Sequence, residues 1–316
     1  MKRYCTDNFP SASDIFISSD NLNRLDGRQS ELFHSRRAFI YDLAYSICRG
    51  GKASADEIQQ NYFSVLNPIK RSNIDEAEMF FSAISVAERI EICNGINTTT
   101  KNGNAFSEAL LGQNDPCPTR SVGRISYVKN NFTDSAYLIF SKKIRAPRCF
   151  YSDSFDIACE DVFNGESEFC ILPIETSSDG KLFSFYSLID RYELKIISVC
   201  SVEHPGSSKF TRFALLRRSI SMTDLSGALS GKNNMLELKI SQSISDSAPI
   251  YDIFKAADIC QMPLLRVDSL PLPYSDSLLS YYAVFGFESE RIKSFLTYTT
   301  LEFPQCYILG IYSREI

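Results

Sequence analysis

The residues of this chain that could do chemistry are hydroxyls and arginines more than histidines or paired cysteines. Only two histidines occur, His34 and His204, far apart in sequence, and there is no Cys-x-x-Cys. A zinc site of the usual ligand spacing is therefore not expected, and no metal or other cofactor is assigned. Ten cysteines would suggest disulfides in a small secreted chain. Here Cys48, Cys170, Cys200 and Cys306 lie inside apolar runs and read as buried thiols. Hydroxyls concentrate in Thr176-Ser177-Ser178-Asp179-Gly180, whose residue types suit a loop that caps a helix N-terminus through Ser178 or Asp179. Thr211 and Arg212 fall in the apolar run FTRFALLRR, which reads as a strand.

The elements that must hold these groups belong to an ordinary folded chain. With 316 residues, a hydrophobic share of 44%, a charged share of 22%, 14 Gly and 12 Pro, the composition predicts two or three domains and excludes a disordered or fibrous protein. A formal charge of -5 with interspersed signs offers no field for phosphate. The basic patches RSVGR and LLRRS are too short to mark nucleic-acid binding. The segment MKRYCTDNFPSASD lacks the apolar centre of a signal peptide, and no window approaches the roughly 18 apolar residues of a membrane span. A cytoplasmic protein with no membrane partner is the expectation.

Residues 1–29 read as an extension and residues 30–112 as a small helical domain. Ala38, Ile40, Leu43, Ala44 and Ile47 form one helical face that stops at Gly50-Gly51. Ser54 and Glu57 make a capping-box pattern for a second helix. Asn73 with Glu76 opens a third, carrying Ala77, Phe80, Phe81, Ile84 and Ala87. A following strand over ERIEIC would suit a winged helix, but the acids Asp75, Glu76, Glu78 and Glu88 argue for packing rather than for reading DNA. Polar stretches at 94–123 and 221–234 read as linkers.

Between them, residues 124–220 alternate short apolar runs with helices, the pattern of a parallel or mixed sheet covered on both faces. Residues 235–316 read as strand, helix, strand, strand, helix, strand, a ferredoxin-like βαββαβ unit. Its apolar run YYAVFGF suits a sheet with one face on two helices and the other free to pair, which predicts a homodimer. The fold class is thus α/β and α+β, multi-domain.

Taken in order, CILPIETSSDG, FTRFALLRR and VDSLPL resemble a prephenate dehydratase and its ACT domain over residues 124 to 316. Leu172 to Gly180, LPIETSSDG, follows the family form V-x-P-I-E-N-[ST]-[ST]-x-G, with Thr176 in place of the asparagine. The resemblance implies that Thr176, Ser177 and Ser178 hold substrate carboxylates. It also implies that Thr211 protonates or orients the departing ring hydroxyl while Arg212 holds the neighbouring strand and a carboxylate. The plain alternative is that Thr211 and Arg212 are strand residues and nothing more. Three departures stand out. Val128-Lys129-Asn130-Asn131-Phe132 replaces the family's glycine turn. Only His204-Pro205-Gly206-Ser207-Ser208-Lys209 stands where the family inserts a second lobe. Ala248-Pro249-Ile250 and Asp268-Ser269-Leu270-Pro271 take the places of the ACT domain's Gly-Ala-Leu and Glu-Ser-Arg-Pro, which grip a regulatory amino acid.

Three function classes follow. The first is a non-catalytic, degenerate dehydratase-like protein that binds or senses an aromatic amino acid or related acid through its ACT-like domain and dimerises. The second is an active dehydratase, a carbon–oxygen lyase, with residues 30–112 closing the cleft. The third is a winged-helix regulator. Arg24, Arg28, Arg36 and Arg37 do not match the arginine pattern of a chorismate mutase helix, so no mutase activity is expected.

Overall fold

The computed structural model describes residues 42–66, 86–99, 123–220, 234–243, 248–271, 278–288, 290–303 and 305–313. The extension, the helix start at Asn73 and the linker residues 100–122 and 221–233 lie outside them. In chain order the elements are α1 Ala55–Leu66, α2 Val86–Thr99, β1 Arg124–Tyr127, α3 Asn131–Ser141, β2 Arg148–Tyr151, α4 Phe155–Phe163 and β3 Phe169–Thr176. They continue with β4 Gly180–Lys181, α5 Phe183–Arg191, β5 Lys195–Glu203, β6 Phe210–Arg217 and β7 Asn234–Ser243. Last come α6 Ala248–Ile259, β8 Leu264–Pro271, β9 Leu278–Phe287, α7 Ile292–Glu302 and β10 Cys306–Ser313.

The described strands form one mixed α/β sheet in the order β2-β1-β3-β6-β5-β10-β7-β9-β8, with β4 paired to β3. The pairs β1–β2 and β1–β3 are parallel, whereas β3–β6 and β5–β6 are antiparallel. Both faces of this half are covered, as the near-continuous apolar runs require. Ile171 and Phe169 pack with Ala136 and Phe140 of α3, while Cys170 and Leu172 pack with Ala158 of α4 and Ile189 of α5.

Residues 234–313 fold as the expected βαββαβ unit, with strand order β10-β7-β9-β8 and all pairs antiparallel. One sheet face packs on α6 and α7 through Leu236, Leu238, Ile240, Ala283 and Phe285. The other face, read from the sequence as free, is partly covered from within the chain: Tyr282, Leu309 and Tyr312 share a core with Tyr186 of α5.

The described helical residues before the sheet form a further layer on α6 and α7. Ser54 and Glu57 make the capping box, with Ser54 N–H to Glu57 Oε2 at 2.9 Å and Glu57 N–H to Ser54 Oγ at 3.3 Å. ERIEIC is not a strand but part of α2. The helix is clamped between two layers. Its Gly95 faces Ala44 so closely that a Cβ would stand 2.6 Å from the alanine methyl, while Asn97 accepts from Thr297 of α7 at 3.0 Å. Burial on two sides produces the apolar alternation that resembled a strand, and residues 94–99 continue the helix instead of opening a linker. These described helices pack on α6 and α7, not over Thr211, so they do not close the cleft that a missing lobe would leave. No helix among the described residues is long and apolar enough to cross a membrane.

Candidate functional site

The hydroxyl run is a hairpin turn, not a helix cap. Glu175 pairs with Lys181 and Thr176 with Gly180 across β3 and β4, and Gly180 takes φ +70°, which a side chain resists. Helix α5 then starts from Leu182 with no side-chain cap. Within the turn Thr176 Oγ1 and Ser178 Oγ each donate to Asp179 Oδ2 at 2.9 Å. The Ser178 hydroxyl and then that of Thr176 hold the Asp179 carboxyl below the ordinary carboxylate range. Ser177 is tied across to β6, its Oγ accepting from Phe210 N–H at 3.1 Å.

The antiparallel register of β3 and β6 sets Thr176 opposite Thr211 and Glu175 opposite Arg212. Thr211 is buried, and its Oγ1 lies 2.9 Å from Nε2 of His204. That histidine comes from the turn joining β5 to β6 and stacks on Phe132 with centroids 4.4 Å apart. Phe132 belongs to the first turn of α3, beside the C-terminal end of β1, where open α/β sheets usually place ligands. The amides there are already occupied: Asn130 Oδ1 accepts from Phe132 N–H at 3.0 Å and from Thr133 N–H at 2.9 Å. An anion therefore finds no open helix N-terminus.

A second group of charges joins the expected Arg212 and Asp268 to Glu175, Lys181, Glu237 and Arg266, which were not singled out from the sequence. All but Asp268 line a cleft of about 180 Å³ between β3, β4 and β6 on one side and β7 and β8 on the other. Glu237 is 1% exposed and Lys181 4%, and they pair at 2.6 Å. Tyr186 and Tyr312 donate their hydroxyls to the same carboxylate at 2.9 and 3.0 Å. Burial, with Glu237 adding to it, raises both phenols well above their ordinary value. The chain of charges runs outward from Lys181 to Asp268 at 3.6 Å, Asp268 to Arg266 at 2.8 Å, Arg266 to Glu175 at 3.3 Å and Glu175 to Arg212 at 2.7 Å. No sequence signal marked Glu237 or Lys181, since Glu237 lies on the strand face opposite Leu236 and Leu238 that alternation reads as solvent-facing; only the structure shows both charges buried.

The expected site residues divide between these places. Thr176, Ser177, Ser178 and Thr211 meet at one end of β3 and β6, while Arg212 lines the cleft and Asp268 pairs with Lys181 and Arg266 beside it. Ser269 pairs with Tyr281, which packs on the helix-side core together with Ile250, whereas Asp268 pairs with Tyr282 of the opposite core. Ala248 and Pro249 open α6, and their side chains lie outside the described residues. Cys48, Cys170 and Cys200 are buried, and Cys306 is half-buried. Among the described residues no group of three or more His, Cys, Asp or Glu is placed to hold a metal ion.

By sequence the chain matches no protein-family model and no curated protein. Among solved structures it is similar to the prephenate dehydratase of Streptococcus mutans, with 16% identity, TM-score 0.50, and coverage of 62% of this chain and 100% of that one. It is also similar to the prephenate dehydratase of Arthrobacter aurescens in complex with L-Phe, at 13% identity, TM-score 0.47, and 60% and 90% coverage. A further neighbour is GqqA, described as a novel type of quorum quenching acylase, at 17% identity, TM-score 0.47, and 62% and 97% coverage. Identities this low speak to fold alone, and the first of them agrees with the mixed sheet and helix layers described above. The chain has a prephenate-dehydratase-like α/β fold.

Proposed function

We propose that this protein is a non-catalytic relative of the dehydratases, one that binds or senses a small ligand, an aromatic amino acid or related acid, and acts as a homodimer. One observation carries the reading. The groups that the resemblance assigns to substrate carboxylates are engaged within the chain itself. Asn130 fills the α3 N-terminus, Ser177 is bonded to Phe210, and Asp179 engages both Thr176 and Ser178. An ionised Asp179 in that turn repels a second carboxylate.

Only the six-residue turn 204–209 links β5 to β6, and among the described residues no second wall stands at this end of the sheet. An ion pair at 4 Å is worth about 1 kcal/mol in water and about 4 at an effective dielectric near 20, whereas enzymic acceleration needs on the order of 8 or more. An open half-site falls short of that. The dimer reading is supported by β8, a sheet edge that exposes Leu264, Leu265 and Val267.

The contact between His204 and Thr211 favours a second reading, an active dehydratase, because an imidazole behind a hydroxyl relays a proton toward a leaving group. Phenylpyruvate formation from prephenate near neutral pH separates the two. The binding reading expects the spontaneous rate for both wild type and Thr211→Ala. Rapid formation in the wild type that is lost in the variant establishes the dehydratase.

A further inference from the structure

At the edge of the sheet opposite β8, the last strand among the described residues is β2, paired only to β1. Arg148 N–H donates to Gly123 O at 2.8 Å and Ser152 N–H to Tyr127 O at 3.0 Å, so the even-numbered residues turn their main-chain groups toward β1. By the alternation of a strand, the N–H and C=O groups of Cys149 and Tyr151 turn outward, where no described strand receives them. All four residues of β2 are exposed. Phe150 is 41% exposed and Tyr151 47%, and each ring carries a cation of the chain: Arg124 lies 3.6 Å from the Phe150 centroid and Lys129 4.7 Å from that of Tyr151.

The run that leads into β2, KKIRAPR at 142–148, holds four cations and no acid in a chain whose formal charge is -5. Lys142, Arg145 and Arg148 are exposed, and none of them has an ion-pair partner among the described residues. The run is fixed in place. Ala146 takes φ +52°, a left-handed conformation that alanine adopts only where its surroundings compel it. Its carbonyl packs so closely on Gly123 that a Cβ there would stand 2.5 Å from the oxygen.

Three occupants suit an open edge, and the observations separate them. A second copy pairing β2 to β2 would set these cations against their own mates, the device by which edge strands repel one another. A single-stranded nucleic acid stacks its bases on open ring faces, whereas both rings here already hold a cation. An extended acidic peptide meets both features at once, its main chain pairing with Cys149 and Tyr151 and its carboxylates lying beside Arg145 and Arg148.

We propose that β2 takes up an extended peptide as an added strand, with acidic residues at the end beside Arg145 and Arg148 and β-branched residues along Cys149 to Tyr151. The proposal does not depend on the ligand reading above.

The test is fluorescence anisotropy of labelled, blocked heptapeptides with the full chain at low ionic strength. One probe has three glutamates followed by alternating valine and threonine, and the other has the reverse order, so that both strand directions are covered. The controls are the glutamine versions, the same peptides N-methylated at every valine and threonine, which cannot pair as a strand, and an oligothymidylate. Wild type is compared with the double variant Arg145→Glu, Arg148→Glu. The expected result is saturable binding of at least one acidic peptide to wild type. The glutamine and N-methylated forms are expected to bind at least about tenfold more weakly, as is the acidic peptide to the double variant at an unchanged thermal midpoint.

Equal binding by the N-methylated form leaves charge attraction alone and overturns the added strand, with no variant involved. Equal binding by the double variant overturns the place. An oligothymidylate that binds more tightly than the peptides makes this a nucleic-acid surface and overturns the peptide. A dimer in sedimentation that the double variant dissolves makes a second copy the occupant and overturns it too. Silence from both acidic peptides overturns the proposal outright.

Discussion

Gly310 of β10 lies directly beside Ile196 of β5, and a Cβ built on it would stand 2.6 Å from the Ile196 Cβ and 2.7 Å from the Ile196 carbonyl oxygen. This parallel contact is where the half of the sheet built from residues 124–217 meets the ferredoxin-like half. The β10–β7 ladder shifts register between Ile308 and Gly310, a bulge that brings the glycine against its neighbour.

Gly310→Ala is therefore expected to destabilise the protein by about 1–3 kcal/mol, and Gly310→Val by more, because the obstructing oxygen belongs to backbone that a rotamer change cannot move. Thermal unfolding checks this. A midpoint within error of wild type for both variants would show that the two halves do not depend on this contact.

Removing Glu237 leaves the buried Lys181 only Asp268, at 3.6 Å, and removing Lys181 leaves the Glu237 carboxylate only the two phenols. Glu237→Leu and Lys181→Met are each expected to cost about 3–5 kcal/mol, while the double replacement recovers only part of the loss, because the buried Tyr186 and Tyr312 hydroxyls still lack their acceptor. A double-mutant cycle by urea denaturation measures the coupling. Additive losses would mean that water reaches Lys181.

Alkaline pH should weaken the fold through Tyr186 and Tyr312. Both phenols are raised well above 10 in the folded protein, so each contributes stability that is fully present below the unfolded value and declines as pH rises past it. Above about pH 10 the unfolded chain has released these protons and the folded chain has not. Stability then falls by up to about 1.4 kcal/mol per pH unit for each group. Denaturation midpoints between pH 8 and 11 report the slope, which Tyr312→Phe should flatten.

Asn130→Ala removes the cap of α3 and is expected to cost about 0.5–2 kcal/mol. It also uncovers the Phe132 and Thr133 amides. No dehydratase activity is expected to appear, because the described residues supply no second wall beside those amides. Phenylpyruvate formation by this variant would show that Asn130 alone blocks the site.

From Arg124 onward the order of strands and helices, the short β4 excepted, is legible in the sequence, because strand and helix periodicities, caps and turns are local. Asn130 in place of a glycine turn, Ser54 with Glu57, and the βαββαβ order are properties of short windows. Local pattern failed at ERIEIC, where burial of α2 on two sides produced a strand-like alternation, and at Thr176–Gly180, where the pairing of Glu175 with Lys181 makes a hairpin of residues suited to a cap. Tertiary structure alone decided which side chains meet. Lys181 and Glu237 are 56 residues apart, and Glu175 and Arg212 are 37 apart. Whether such charges pair in a cleft or point to water depends on strand register and on the junction at Gly310, which no window of sequence contains. His204 meets Thr211 more locally, across the hairpin that joins β5 to β6. The physical reason is that a sheet converts local alternation into long-range contact only after its strands have chosen their neighbours.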